Sequence, residues 1–253
     1  MKIIKFKKLS KDKYKVYLED GTNINLYEDV IINNNLLLTK EIDEEKIDNI
    51  LAENSDIHLY GIALNYISVR MRSKKEIKEY LIKKGVTPNK IDEVIDKLVK
   101  NGYINDFNFA KAYAKDQMVL TPNGPYKIKM GLIKYGVKED IINEVIDEID
   151  NNILIEKLSN LMEKQIRIKK GASNMLKLKL INYFSNLGYD KSMILDVMSN
   201  YKIKTDINKL KKEYDKLFIK YSKKYEGNEL EYFIRNKLYQ KGYAKEEIEK
   251  ISK

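Results

Sequence analysis

The chain has 253 residues, 43% of them hydrophobic, enough for one large domain or several small ones with cores of their own. It contains no cysteine, which excludes a disulfide scaffold, a thiolate nucleophile and a cysteine-based zinc site and suits a reducing compartment. No apolar run approaches the roughly 18 residues of a membrane span, and the opening MKIIKFKKLSKDKYK places no apolar stretch behind its lysines, so the expected location is the cytoplasm.

The net charge of +10, from 48 basic against 38 acidic residues, favours polyanionic partners. Lysine supplies 44 of the 48 and arginine only four, alongside many Asn, Ile and Tyr. That usage also fits an AT-rich coding sequence, so the total by itself does not decide. Residues 1–60 and 101–150 are net acidic, whereas 61–100 and 151–253 are net basic.

Three stretches rich in β-branched and aromatic residues, KIIKFKK, KYKVYLE and TNINLYE, predict a small antiparallel meander within residues 1–40. Asp20-Gly21, between the second and third, predicts a two-residue type I′ turn in which both central residues take positive φ. Such a sheet is marginal alone and is expected to pack against a neighbour. Residues 41–56 shift to helical spacing at Ile42, Ile47, Ile50 and Leu51 and read as a connecting helix.

From residue 57 onward the helical pattern repeats. Registered on Gly85, Gly136, Gly188 and Gly242, which lie 51, 52 and 54 residues apart, the positions eight before are Ile77, Ile128, Leu180 and Ile234. Those four before are Leu81, Leu132, Phe184 and Leu238; six beyond stand Ile91, Ile142, Ile194 and Ile248, and nine beyond Val94, Val145, Val197 and Ile251. Positions four apart stack on one helix face, so each unit presents an apolar stripe on either side of its glycine. Two helices meet at a tight turn, where glycine supplies the left-handed residue that ends the first. Thr87 before Pro88, and Asp190, read as caps of the second helix.

A period near 52 residues leaves room for a third helix of roughly four turns per unit, at 57–71, 106–120, 152–170 and 206–226. The expected fold is therefore mainly α, with four tandem three-helix modules at 57–104, 105–150, 151–203 and 204–253 forming an elongated, curved array behind the β element. Gly102 closes the second helix of the first module, and Gly124-Pro125 opens the next pair. Asp106 reads as the N-cap of the intervening long helix, with Asn105 as a competing cap.

Catalytic and cofactor signatures do not occur. There is no GxxxxGK[ST] loop and no GxGxxG, and His58 is the single histidine, which reads as structural or solvated. The acids of DEVID and NEVIDEID lie opposite the apolar stripe, as a solvated helical face does. We expect no enzyme, no cofactor and no metal. Three basic patches are candidates for partner contact: Arg70, Arg72, Lys74 and Lys75; Lys127 and Lys129; and Lys164, Arg167, Lys169 and Lys170. Arg70 and Arg72 suit bidentate recognition of carboxylate or phosphate, yet they equally suit a helix C-terminus or pairs with Glu76 or Glu79. The lysine runs equally suit a solvated face.

Several motifs together resemble the RecX family, regulators of the bacterial RecA recombinase. They are ALNYISVRMRSKKEIKEYLIKKGV at 63–86, with Arg70, Arg72 and Ser73 in an R-x-R-S arrangement, then GYINDFNFA at 102–110 and NGPYKIKMGLIKYGV at 123–137. The resemblance is clear over 63–150; the last two modules share its helical repeat pattern, and residues 1–43 resemble an extension found in members from low-GC Gram-positive bacteria. One departure is Gln117, where many members have an arginine; Lys111 or Lys115 would have to carry any contact made there. The resemblance implies a monomer that binds RecA and its single-stranded-DNA filament. It would lodge along the filament groove and inhibit ATPase, strand exchange and co-protease activity in homologous recombination, DNA repair and the SOS response. Helix pairs at a glycine turn also fit a stand-alone protein contacting single- or double-stranded DNA, or a helical scaffold for another protein.

Overall fold

The computed structural model describes residues 1–251. The fold is mainly α, with three-helix repeats following a three-stranded antiparallel sheet. The chain divides into two compact units, residues 1–109 with 135–137, and residues 110–134 with 138 onward.

In the first unit, β1 (Ile3–Lys8), β2 (Lys13–Leu18) and β3 (Asn23–Tyr27) pair in the order β1-β2-β3. The β2–β3 turn differs from the expected type I′. Gly21 takes φ +84° but Asp20 does not join it in the left-handed region, and the loop spans Glu19–Gly21, closed by the Leu18 amide donating to the Thr22 carbonyl at 2.9 Å. Asp20 is instead engaged locally: its carboxylate accepts from the Thr22 amide at 2.9 Å and the Thr22 hydroxyl at 2.6 Å. A short aspartate side chain prefers this bond to a strained backbone.

After the sheet come α1 (Glu28–Asn33), α2 (Leu36–Thr39) and a 3₁₀ turn at Glu44–Lys46. Val16, Leu18, Leu26, Val30, Ile31, Leu36 and Ile42 form the first core with Ile50 of α3 (Ile47–Ser68). Helix α3 runs without a break through residues 56 and 57, where the sequence reading separates a connecting helix from the first module. Its N-terminal half serves the sheet core through Ile47, Ile50 and Ile57, and its C-terminal half serves the next core through Tyr60, Ala63 and Ile67. The apolar face rotates between the two, so no single stripe marks the helix. The second core joins α3 to α4 (Lys74–Lys83) and α5 (Pro88–Lys100) through Ile77, Leu81, Ile91, Val94 and Leu98. Pro88 begins α5, but Thr87 makes no side-chain cap bond.

The unit also holds the start of α6 (Asp106–Leu120). Here the cap differs from the expectation. Asn105 caps the helix, its side-chain oxygen accepting from Phe107 at 2.9 Å and Asn108 at 3.0 Å. Asp106 occupies the first helical position, and its carboxylate reaches back to the Lys74 amide at 3.0 Å. An amide side chain suffices for α6, which leaves the charged group for the exposed donors at the start of α4.

The second unit contains α7 (Pro125–Lys134), α8 (Glu139–Asp147), α9 (Asn151–Ile168), α10 (Ser173–Asn186) and α11 (Lys191–Ser199), then α12 (Ile207–Tyr221), α13 (Gly227–Gln240) and α14 (Lys245–Glu249). Leu154, Leu158, Met162, Leu180, Phe184, Ile194 and Val197 build one core; Leu210, Leu217, Ile234, Leu238 and Ile248 build another. Across the four repeats every residue eight or four before the glycine, from Ile77 and Leu81 to Ile234 and Leu238, is 0% exposed. These columns hold each helix pair together.

Gly85, Gly102, Gly136, Gly188 and Gly242 all take left-handed backbone. At Gly188 the turn has two tasks. It ends α10, with the Gly188 amide donating to Ser185 at 2.9 Å and the Tyr189 amide to Phe184 at 3.1 Å, the pair of bonds that satisfies a helix's last carbonyls. It also docks on the start of α7: the Tyr126 amide donates to the Gly188 carbonyl at 3.1 Å, and the Gly124 amide to the Leu187 carbonyl at 2.7 Å. A Cβ at Gly188 would lie 2.5 Å from the Lys127 nitrogen, and one at Gly124 would lie 2.7 Å from the Gly188 oxygen. Gly242 meets Met175 of α10 in the same way, and Gly136 meets Lys75 of α4. Gly85, which follows no earlier three-helix repeat, has open space around it.

Gly85→Ala is therefore expected to cost about 1–2 kcal/mol of left-handed strain. Gly188→Ala adds a backbone clash and should cost at least twice as much in urea unfolding; equal losses would show that the contact with α7 yields freely.

Candidate partner-binding surfaces

At the R-x-R-S segment, the turn from α3 to α4 converges on one carboxylate. Ser73 caps α4, its hydroxyl accepting from the Glu76 amide at 3.2 Å while Glu76 accepts from the Ser73 amide at 3.1 Å. The same Glu76 pairs with Arg70 and, at 3.4 Å, with Arg72. The carboxylate holds the Arg70 guanidinium above its ordinary pKa, chiefly through their hydrogen bond. The Arg72 side chain is 14% exposed, and its guanidinium lies 4.2 Å over the Tyr66 ring, which stacks on Tyr80 at 3.9 Å. A charge stacked and paired in this way belongs to the packing of the repeat. Arg70, half-exposed and also donating to the Met71 carbonyl at 2.9 Å, is the more available of the two.

The remaining candidates are dispersed. Lys74 lends its amide to Asp106, and Lys75 pairs with Glu79 at 3.9 Å. Lys127 is exposed beside the Gly188 turn. Lys129 is tied to Asn143 at 2.9 Å and Glu139 at 3.5 Å. The Gln117 side chain accepts from Asn123 at 2.8 Å and Thr121 at 3.3 Å, closing the end of α6. Lys157, whose pKa is lowered by burial, donates to the Gln117 and Asn123 carbonyls at 3.3 and 2.9 Å. Of the two lysines that could stand in for the arginine at that place, Lys111 pairs with Glu148 at 2.8 Å and Lys115 is exposed. His58 binds the Tyr27 hydroxyl at 2.7 Å and stacks on that ring, fastening α3 to β3.

The third patch gathers most charge. Lys164 is exposed on α9, and Arg167 is held by Glu163. Arg167, Lys169 and Lys170 line an open cavity of about 540 Å³ whose other wall carries Lys202, Lys204, Lys209 and Lys212. Asp206, its one acid, is occupied as the cap of α12, accepting from Asn208 at 3.1 Å and Lys209 at 3.2 Å. The floor is anchored by Thr205, which accepts from the Ser173 amide at 2.8 Å and donates to Glu247. Burial alone would raise the pKa of Glu247, but bonds from Thr205, the Ala244 amide and Ser173 outweigh it and hold the carboxyl below its ordinary value. The sequence reading singles out 164–170 and passes over 202–212, although KIKTDINKLKK is basic enough to notice. Only the fold shows that the two runs face each other.

The family description "RecX, first three-helix domain" matches residues 60–98, spanning the Arg70–Glu76 cluster. A protein of Bacillus cytotoxicus named Regulatory protein RecX is 32% identical over 97% of this chain and 94% of its own. One of Streptococcus uberis with the same name is 30% identical over 98% of each. The chain belongs to the RecX family. Two crystal structures extend the RecX likeness. That of a regulatory protein RecX covers 78% of this chain and 98% of its own at a TM-score of 0.69, with 22% identity, a likeness of fold. That of RecX from Lactobacillus salivarius covers 57% of this chain and 95% of its own at a TM-score of 0.55, with 27% identity.

The RecX R-x-R-S cluster makes an asymmetric prediction. Glu76→Ala removes the partner of two arginines and a backbone amide and should cost about 2 kcal/mol, whereas Arg70→Ala at the exposed side should cost less than about 1 kcal/mol. Chemical denaturation of both variants checks the difference.

Proposed function

We propose that this chain binds RecA recombinase and its filament on single-stranded DNA in the cytoplasm, and lowers RecA ATPase, strand exchange and co-protease activity. The observation that carries this reading is membership of a family of regulatory proteins along nearly the whole chain. The mechanism is steric and electrostatic and uses no catalytic group of this chain. The basic cavity between Arg167 and Lys212 supplies the electrostatic part: seven cations, of which Arg167 is paired with Glu163, around one lining acid already used as a cap favour an anionic surface. Arg70 and the exposed Lys127 are further contacts. Arg72 supports them by holding the turn.

The test adds the chain to RecA, ATP and single-stranded DNA. ATP hydrolysis should fall as the chain is titrated, and Lys202, Lys204, Lys209 and Lys212 changed together to Glu should raise the required concentration at least tenfold while melting is unchanged. Unaltered ATPase and filament length in the presence of the wild-type chain would contradict the reading.

A further inference from the structure

The open face of the N-terminal sheet sets lysines and aromatic rings in register. Strand pairing puts Lys5, Tyr17 and Asn23 in one cross-strand row, Lys7, Lys15 and Asn25 in the next, and Lys13 with Tyr27 in a third. The opposite face, with Val16 and Leu26, faces the core. Lys5, Lys7, Asn23 and Asn25 are exposed, and Lys13, Lys15 and Tyr17 are half-exposed on the central strand. None of the three strands contains an acid. Lys7 stands directly opposite Lys15, an arrangement that destabilises a sheet.

Lysine on a sheet edge guards against strand-to-strand aggregation, which accounts for Lys5 and Lys7. It does not account for Lys13 and Lys15, because β2 is paired on both sides. Elsewhere Arg70, Arg72, Lys129 and Arg167 each have an acid of this chain. Here Lys15 lies over the Tyr17 ring at 5.4 Å and Lys13 over Tyr27 at 5.1 Å. Tyr27 is engaged by His58 and has Asp12 within electrostatic reach, so the ammonium and ring of Lys15 and Tyr17, on strands that carry no acid, are the pair that offers phosphate contacts next to a stacking surface.

We propose that this face binds single-stranded DNA, the four lysines contacting its phosphates and Tyr17 stacking on a base. Three strands span roughly 10 Å and accommodate about two or three nucleotides. A single strand fits because its bases are free to lie on Tyr17, whereas a duplex keeps them stacked internally. The charge and the rings select a single-stranded polyanion; the choice of DNA over RNA rests on the filament reading above.

The test uses the full chain without RecA, so that its result is separate from that of the ATPase titration. Anisotropy of a fluorescein-labelled 20-residue oligo(dT) is measured at several salt concentrations. Changing Lys5, Lys7, Lys13 and Lys15 together to Gln should weaken binding at least tenfold and reduce the salt slope by about 2, at roughly 0.7 for each of about three phosphate contacts. Tyr17→Leu should weaken it at least fivefold with the slope unchanged. Changing the exposed Lys220, Lys223 and Lys224 to Gln should leave affinity within twofold. Absence of wild-type binding, unchanged affinity in the sheet variant, equal loss in the control, or tighter binding of oligo(U) by more than tenfold would each overturn the proposal. Should the sheet variant fail to fold, ultraviolet crosslinking of the wild-type chain to oligo(dT) decides: adducts on residues 13–17 support it, and adducts confined to residues beyond 27 overturn it.

Discussion

The start of a helix exposes amide donors that must find acceptors, and at α7 and α10 the glycine turn of the following repeat supplies one. Gly188 and Gly242 offer their carbonyls to the second residue of α7 and α10, while Gly136 brings its turn against Lys75 at the start of α4. One turn thus terminates its own helix and covers the exposed end of another. The buried columns around each glycine follow from the same constraint, since a turn pressed against backbone must be held in place by the helices that leave it. Tyr189, immediately after Gly188, shows how tightly: it is 4% exposed, and burial pushes its hydroxyl up to about 12.

This arrangement consumes backbone and apolar groups and leaves charged side chains on the outside. Some of those charges are drawn inward again: Glu76 gathers Arg70, Arg72 and the Ser73 amide, and Lys157 covers the end of α6. Others accumulate where two lysine-rich runs converge, as at 167–170 and 202–212, or where strand alternation lines them up, as on β2. Function of the kind proposed depends on this division between charges committed to the fold and charges left for a partner. A regulatory protein needs no reacting centre if its surfaces hold another assembly in place.

Much of this was legible in the sequence because glycine at a left-handed turn and apolar residues four apart are local requirements. The columns from Ile77 to Leu238, the helix ends at Gly85 and Gly102, and the three strands all follow from them, as does the likeness to RecX proteins. Choices between chemically similar neighbours were less accessible. Asn105 took the cap and Asp106 the more distant amide of Lys74, a preference set by an N-terminus 32 residues away. Asp20 bonded to Thr22 and kept its backbone out of the left-handed region, so the expected type I′ turn became a three-residue loop. The continuity of α3 was hidden because its two halves face different cores. Lys202, Lys204, Lys209 and Lys212 gained significance only from the cavity they share with Arg167, Lys169 and Lys170.

Native-state hydrogen exchange at the amides of Tyr126 and Asn174 measures the central constraint directly. Both lie in the first turn of a helix, where amides without an intrahelical partner ordinarily exchange with water rapidly. Bonded to the carbonyls of Gly188 and Gly242, they should be protected to the same degree as the helix interiors of α7 and α10. Exchange at the rate of an open helix end would contradict the account.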